Sequence, residues 1–121
     1  MTSDKDNQKI VRVVRWDRLR TDEAEKEIRE RLADPGANLI IGNHAYDRIE
    51  LRSINDVDVL NILQKGSVLD QPELQENGRD WKIVMVRRMP GGRYAGVVTI
   101  IFSPPSRKLF VKTVEWMDRL T

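Results

Sequence analysis

The chain has 121 residues, 40% hydrophobic and 33% charged, with no cysteine, one histidine and a formal net charge of +2. That length falls within the roughly 100 to 200 residues of one domain and lets a chain bury roughly two-thirds of its extended surface without disulfides or a structural metal. The lack of cysteine excludes zinc ribbons, iron–sulfur clusters and thiol catalysis. No run approaches the ~20 apolar residues of a membrane-spanning helix, and the polar start, Met1 to Ile10, has no apolar signal core; a cytoplasmic protein is expected.

Residues 1–9 read as a loose tail ahead of one α+β domain, 10–121. Ile10 to Trp16 is rich in β-branched residues and reads as a strand. Thr21 followed by Asp22, Glu23 and Glu25 predicts an N-cap with an acidic first turn. Ala24, Ile28 and Leu32 recur at four-residue spacing, and Pro35-Gly36 ends that helix near Asp34. Asn43 can cap a second helix running to about Ser53. A third starts at Asn55, carries Val57, Leu60, Ile62 and Leu63 inward, and stops at Gly66, expected as a left-handed C-cap.

From there the period becomes that of strands: Trp81–Arg88, Tyr94–Phe102 and Lys108–Trp116, separated by Met89-Pro90-Gly91-Gly92 and Ser103-Pro104-Pro105-Ser106. Such short connections predict an antiparallel meander packed against the N-terminal strand and helices. The segment Gly96–Phe102 is apolar on both alternating faces and belongs at the sheet centre. On the last strand, Lys108, Phe110, Lys112, Val114 and Trp116 are expected on one face, with Leu109, Val111, Thr113 and Glu115 on the other.

Charge is unevenly placed. Residues 1–78 hold 12 basic and 16 acidic side chains, whereas residues 79–121 hold 9 and 3. The basic C-terminal part suits phosphates or an acidic partner, although basic strands could simply balance acidic helices. A groove bordered by Lys112, Arg87 or Arg88 and Arg93 is expected across the sheet or its rim. Gly91-Gly92-Arg93-Tyr94 brings an arginine and a phenol to a strand start, a pair that could grip a phosphate and stack a base; an ordinary hairpin turn is the competing reading. Glu115 could act as a base or hold an arginine. Trp116 could stack on a base or pack on a helix, and Trp16 and Trp81 read as core residues. No phosphate-binding loop of the GxxxxGK[ST] or GxGxxG kind occurs, and one histidine without a carboxylate cluster predicts no metal and no cofactor.

The sharpest local feature is His44-Ala45-Tyr46-Asp47-Arg48-Ile49-Glu50-Leu51-Arg52. At 100° per residue, His44, Arg48 and Arg52 fall within an arc of ~80°. A row of histidine and arginine suits phosphate chemistry, because a guanidinium clamps phosphate with paired donors and imidazole moves protons near neutral pH. The ordinary alternative is a partly buried histidine bonded to backbone, beside arginines paired with acidic neighbours.

The string Ile40 to Ile54, with its His44-Ala45-x-x-Arg48 helix, then Asp58-Val59, Gly66, the Gly91-Gly92-Arg93 turn and Val111-Lys112-Thr113-Val114, resembles the bacterial domain-of-unknown-function 4258 family over about residues 38–116. The resemblance implies a RelE- or MqsR-like toxin of a toxin–antitoxin system, a metal-independent endoribonuclease that activates a ribose 2′-hydroxyl of mRNA, free or ribosome-bound. Its implied partner is an antitoxin with zinc-finger and helix-turn-helix parts. On the matching positions, His44 would be the acid/base group and Arg48 the phosphate clamp, with Arg52, Arg87, Arg93, Tyr94 and Lys112 as further substrate-binding candidates. Residues 10–34 lie outside the family-like core. A non-catalytic basic module for RNA or protein, and a toxin of the same fold with a non-RNA target, are the competing readings.

Overall fold

The computed structural model describes residues 13–120. In chain order it contains α1 (Thr21–Ala33), β1 (Leu39–Ile41), α2 (Asn43–Arg52), α3 (Asp56–Lys65), β2 (Ser67–Leu74), β3 (Trp81–Arg88), β4 (Tyr94–Ile101), β5 (Leu109–Trp116) and a 3₁₀ turn, Asp118–Leu120. The fold is α+β, with three helices and one five-stranded sheet among the described residues. The strand order is β1-β5-β4-β3-β2.

Strands β2 to β5 form the expected antiparallel meander, with the apolar β4 at its centre. The sheet is nevertheless mixed, because β1 pairs in parallel with β5 through Leu39–Leu109, Ile40–Phe110 and Ile41–Val111. Sequence reading left β1 and β2 unassigned. β1 has three residues and owes its geometry to β5, 70 positions away. β2 contains Asp70 at φ 62° and Pro72, and its pairing with β3 breaks between Leu69 and Glu73. A bulge and a proline on an edge strand blunt it against pairing with another chain.

The expected N-terminal strand is not formed where it can be seen. Its residues 10–12 and the expected tail lie outside the described residues; 13–15 are irregular, and Trp16 enters a turn. The Trp16 carbonyl instead accepts from the Trp81 indole at 2.9 Å, which ties this segment to the start of β3.

Helix α1 starts one residue earlier than expected, with Arg20 rather than Thr21 at the N-cap position; the Arg20 backbone N–H donates to Glu23. Ala24 and Ile28 are fully buried, as their spacing predicts. Glu25 accepts from Val68 N–H, and Arg29 donates to the carbonyls of Gln64 and Gly66, so α1 is fastened to the junction of α3 and β2. Arg31, 2% exposed, meets Glu27 at 2.7 Å and donates to the Lys108 carbonyl.

Asn55 caps α3 as expected, its side chain accepting from Asp58 N–H. Val59, Ile62 and Leu63 point inward; Val57 and Leu60, expected there too, are 67% and 38% exposed. Packing of one stripe against β3 and β4 leaves room for only part of the apolar set. Gly66 is not a left-handed cap, since its backbone is extended at φ −79°. Glycine is needed for space: a Cβ would lie 2.5 Å from the Ile62 carbonyl oxygen and 2.6 Å from that of Val86.

The core lies between the helices and one sheet face, where Trp81, Ile83, Met85, Ala95, Val97, Ile101, Leu109, Val111 and Val114 are buried. The simple alternation expected for β5 fails at one place. Val98 pairs with Thr113 and Thr99 with Val111, so Lys112 is an extra residue. This bulge shifts the register of faces: Phe110 and exposed Lys112 stay on the outer face, while Val114 and Trp116 turn toward the helices.

Candidate nucleic-acid interface

Helix α2 is placed by its two ends. At the start, the Gly42 N-cap donates its N–H to the Val111 carbonyl at 2.9 Å. At the finish, the Arg52 guanidinium donates to the Val114 carbonyl at 2.7 Å, and the Trp116 indole donates to the Arg52 carbonyl at 2.9 Å. Because β1 stops level with Val111, β5 from Lys112 to Trp116 has no strand on its outer side, and Arg52 satisfies one of the carbonyls left over. Ala45 is fully buried and Ile49 packs against the core, so α2 lies along β5 with its apolar stripe inward.

His44 and Arg48 stand on the accessible side of this helix. His44 is exposed and Arg48 half-buried; Arg48 Nε donates to His44 Nε2 at 3.4 Å, a long and weak bond. The histidine is therefore neither buried nor bonded to backbone, and neither Arg48 nor Arg52 forms an ion pair among the described residues. The same helix face divides its labour: Arg52 holds the fold together, and His44 and Arg48 do not.

The other candidates are distributed differently from the expected groove. Arg93 makes two hydrogen bonds to Asp118, at 3.0 and 2.9 Å, and its guanidinium sits 4.2 Å from the centre of the Trp116 ring. Its Nε and one terminal nitrogen are engaged within the chain, and one face of the Trp116 ring is covered by Arg93. Tyr94 is half-buried and opposite Arg88. Arg87 faces the helix side of β3, in one row with Ala95 and Trp116, whereas Lys112 is on the outer face beside Lys82 and Glu73. Lys112 and Arg87 therefore cannot border one groove. What gathers at a single end of the sheet is Arg52, Arg93 and Arg87, around Trp116 and Ala95.

A cleft that sequence reading missed lies at that end, between the first turns of α3 (Val57, Asp58, Asn61) and the β3–β4 turn (Arg87 to Gly92), with a volume of about 600 Å³. Gly91 and Gly92 take φ of 96° and 93°, the left-handed region in which glycine is unstrained. Arg88 lies over this turn, donating to the Gly92 carbonyl at 3.4 Å. Among the described residues, no group of three His, Asp or Glu side chains is placed to hold a metal ion, and no helix is long and apolar enough to cross a membrane.

The family described as Domain of unknown function (DUF4258) matches residues 41–116, from the last residue of β1 to the last of β5. The chain belongs to this family. The matched span includes α2 with the His44–Arg48 pair, its anchor on β5 and the whole meander, and it leaves α1 outside. No curated protein and no solved structure matches the chain.

Proposed function

We propose that this DUF4258 protein is the toxin of a bacterial type II toxin–antitoxin pair, with a RelE-like arrangement of sheet and helices, and that it cuts mRNA without a metal. The observation that carries this reading is the contrast within α2. Arg52 is committed to the β5 edge, while His44 and Arg48 hydrogen-bond only each other among the described residues, at an accessible surface.

With Nε2 accepting from Arg48, the proton of a neutral imidazole is on Nδ1. When Arg48 turns its paired donors onto two phosphate oxygens, Nε2 becomes free to take the proton of a ribose 2′-hydroxyl. The 2′ oxygen then bonds to phosphorus as the bond to the 5′ oxygen breaks. The leaving oxygen takes a proton from solvent, and the products are a 2′,3′-cyclic phosphate and a 5′-hydroxyl end. Arg48 remains on the phosphoryl oxygens, where negative charge grows in the transition state. A cognate antitoxin, with zinc-finger and helix-turn-helix parts, would silence the protein by covering this surface.

The test is incubation of purified protein, in EDTA, with 5′-labelled mRNA alone and with programmed ribosomes. Discrete cuts are expected, lost in His44→Ala and Arg48→Ala variants that unfold like the wild type. Intact RNA under both conditions would remove the catalytic reading.

A second reading, a non-catalytic basic module for RNA or an acidic protein, is favoured by one observation. Arg87, Arg93 and Lys112 do not converge on His44, so the basic side chains of the meander do not complete a site around it. That reading predicts salt-sensitive binding without cleavage.

A further inference from the structure

The cleft between α3 and the β3–β4 turn has features that the fold does not require. Arg87 is half-buried on the helix side of β3 and has no hydrogen-bond or ion-pair partner among the described residues. Arg88 next to it is exposed and engages only the carbonyl of its own turn, at 3.4 Å. The turn beneath them carries no side chain at two successive positions, and a Cβ built on Gly91 would meet nothing within 4 Å. A ligand can therefore approach the backbone closely. Asn61 adds an amide with both donor and acceptor character. The one carboxylate in the lining, Asp58, already accepts from the Asn55 N–H as part of the α3 cap.

Consecutive strand residues point to opposite faces, so Arg87 reaches the cleft from the helix side while Arg88 folds over the glycine turn from the outer side, with one weak bond to the Gly92 carbonyl; the two guanidiniums can meet phosphate oxygens at this turn from its two sides. The volume of about 600 Å³ is that of a small-molecule cleft, with room for a nucleotide but not for the apolar face of a docking helix. We propose that this cleft holds the phosphodiester backbone of single-stranded RNA flanking the position presented to His44 and Arg48, with Arg87 and Arg88 on the phosphates and Asn61 on the base or sugar. The choice of RNA rests on the function proposed above; the cleft itself rests on its own geometry. The row in which Trp116, Ala95 and Arg87 lie side by side across β5, β4 and β3, about 10 Å wide at two strand spacings, places the cleft at the end of the sheet where α2 finishes at Arg52; Arg48 and His44 stand about one and two turns back along that helix.

The test is the anisotropy of a short fluorescein-labelled single-stranded RNA titrated with full-length protein over a range of salt, in the His44→Ala background so that the probe stays intact. Arg87→Ala/Arg88→Ala should weaken binding about ten-fold or more. It should also flatten the dependence of log Kd on log salt by about 1.4, since each lost phosphate contact on a single strand contributes about 0.7. Lys112→Ala removes an exposed cation outside the cleft, beside Lys82 and Glu73, and should change Kd less than about two-fold. Arg87→Lys/Arg88→Lys keeps the charge but not the paired donors of each guanidinium, and should fall between wild type and the alanine pair. Thermal unfolding of these variants should match the parent, because neither arginine supports another element.

Equal losses from the alanine pair and from Lys112→Ala would reduce the effect to general charge and overturn the site. So would the absence of RNA binding by the parent, or competition by polyglutamate stronger than by unlabelled RNA. The two proposals fail separately: binding through the cleft without any cleavage by the wild type keeps the site and removes the catalytic reading. Cleavage that depends on His44 but is indifferent to Arg87 and Arg88 does the reverse.

Discussion

Arg52 and Trp116 tie the end of α2 to the end of β5: the Trp116 indole donates to the Arg52 carbonyl, and the Arg52 guanidinium donates to the carbonyl of Val114, two residues before Trp116. The exchange satisfies a carbonyl at the C-terminal end of α2 and another on the unpaired side of β5, both of which would otherwise lack a protein partner. It also holds the helix that presents His44 and Arg48.

Arg52→Ala should therefore lower stability by about 1.5 to 3 kcal/mol, the range for hydrogen bonds to charged groups, and Trp116→Phe by about 1 to 2 kcal/mol, the effect of leaving a carbonyl unpaired. Arg48→Ala should stay within about 0.5 kcal/mol of the parent, as for surface positions without structural partners. Urea unfolding of the three variants checks this, and an Arg52→Ala variant as stable as Arg48→Ala would contradict the division of roles along α2.

Arg31 is 2% exposed and paired with Glu27, itself only 15% exposed in its side chain. Removing one member of a buried pair strands the other, at a cost of about 3 to 5 kcal/mol. Arg31→Ala should approach that loss in chemical denaturation. Arg31→Met combined with Glu27→Leu, which removes both charges and keeps volume, should recover most of it.

Thr99 is completely buried on β4, and its hydroxyl has no hydrogen-bond partner among the described residues. Replacing it with valine keeps the branched shape and removes an unsatisfied polar group, so Thr99→Val should raise stability by about 1 kcal/mol. A thermal midpoint raised by a few degrees would agree; a lowered midpoint would mean that the hydroxyl is used.

The Asp118 carboxyl is held below its ordinary value of 3.8, first by hydrogen bonds from Arg93, opposed by slight desolvation, with the Arg93 charge assisting. A carboxylate depressed in the folded state adds stability that is fully present above its unfolded value and is lost as pH falls through the folded one. Stability should thus be insensitive to this pair at neutral pH and decline below about pH 3.8. Asp118→Asn should make the acid decline shallower without abolishing it, because Asp17, through Arg15, and Asp34, through the Gly36 N–H and Arg107, are depressed as well. Unfolding measured from pH 5 to pH 2 in both proteins provides the check.

Much of the architecture was legible in local patterns. The spacing of Ala24 and Ile28, the Pro35-Gly36 stop, the Asn55 cap and the three β-rich runs each act over a few residues, so each could be read without knowing the rest. β1 and β2 could not. Three residues carry no period, and Ser67–Leu74 holds a proline and two acidic side chains, so both are strands because β5 and β3 offer them hydrogen bonds. The outward turn of Val57 and Leu60 and the bulge at Lys112 belong to the same class: each depends on which neighbour claims the inward positions.

In the site, sequence alone determined that His44, Arg48 and Arg52 share one side of a helix, because the 3.6-residue period is a property of the backbone. Tertiary structure decided which of them is free. Arg52 finds its acceptor 62 positions away, on an edge exposed only because β1 ends early, and Arg93 finds Asp118 and Trp116 after the chain has crossed the sheet and returned. Among the described residues, Arg87 and Arg88 find no such partner outside their own turn. A cation's availability is set by the groups that long-range folding brings within hydrogen-bonding distance, and no local pattern contains that information.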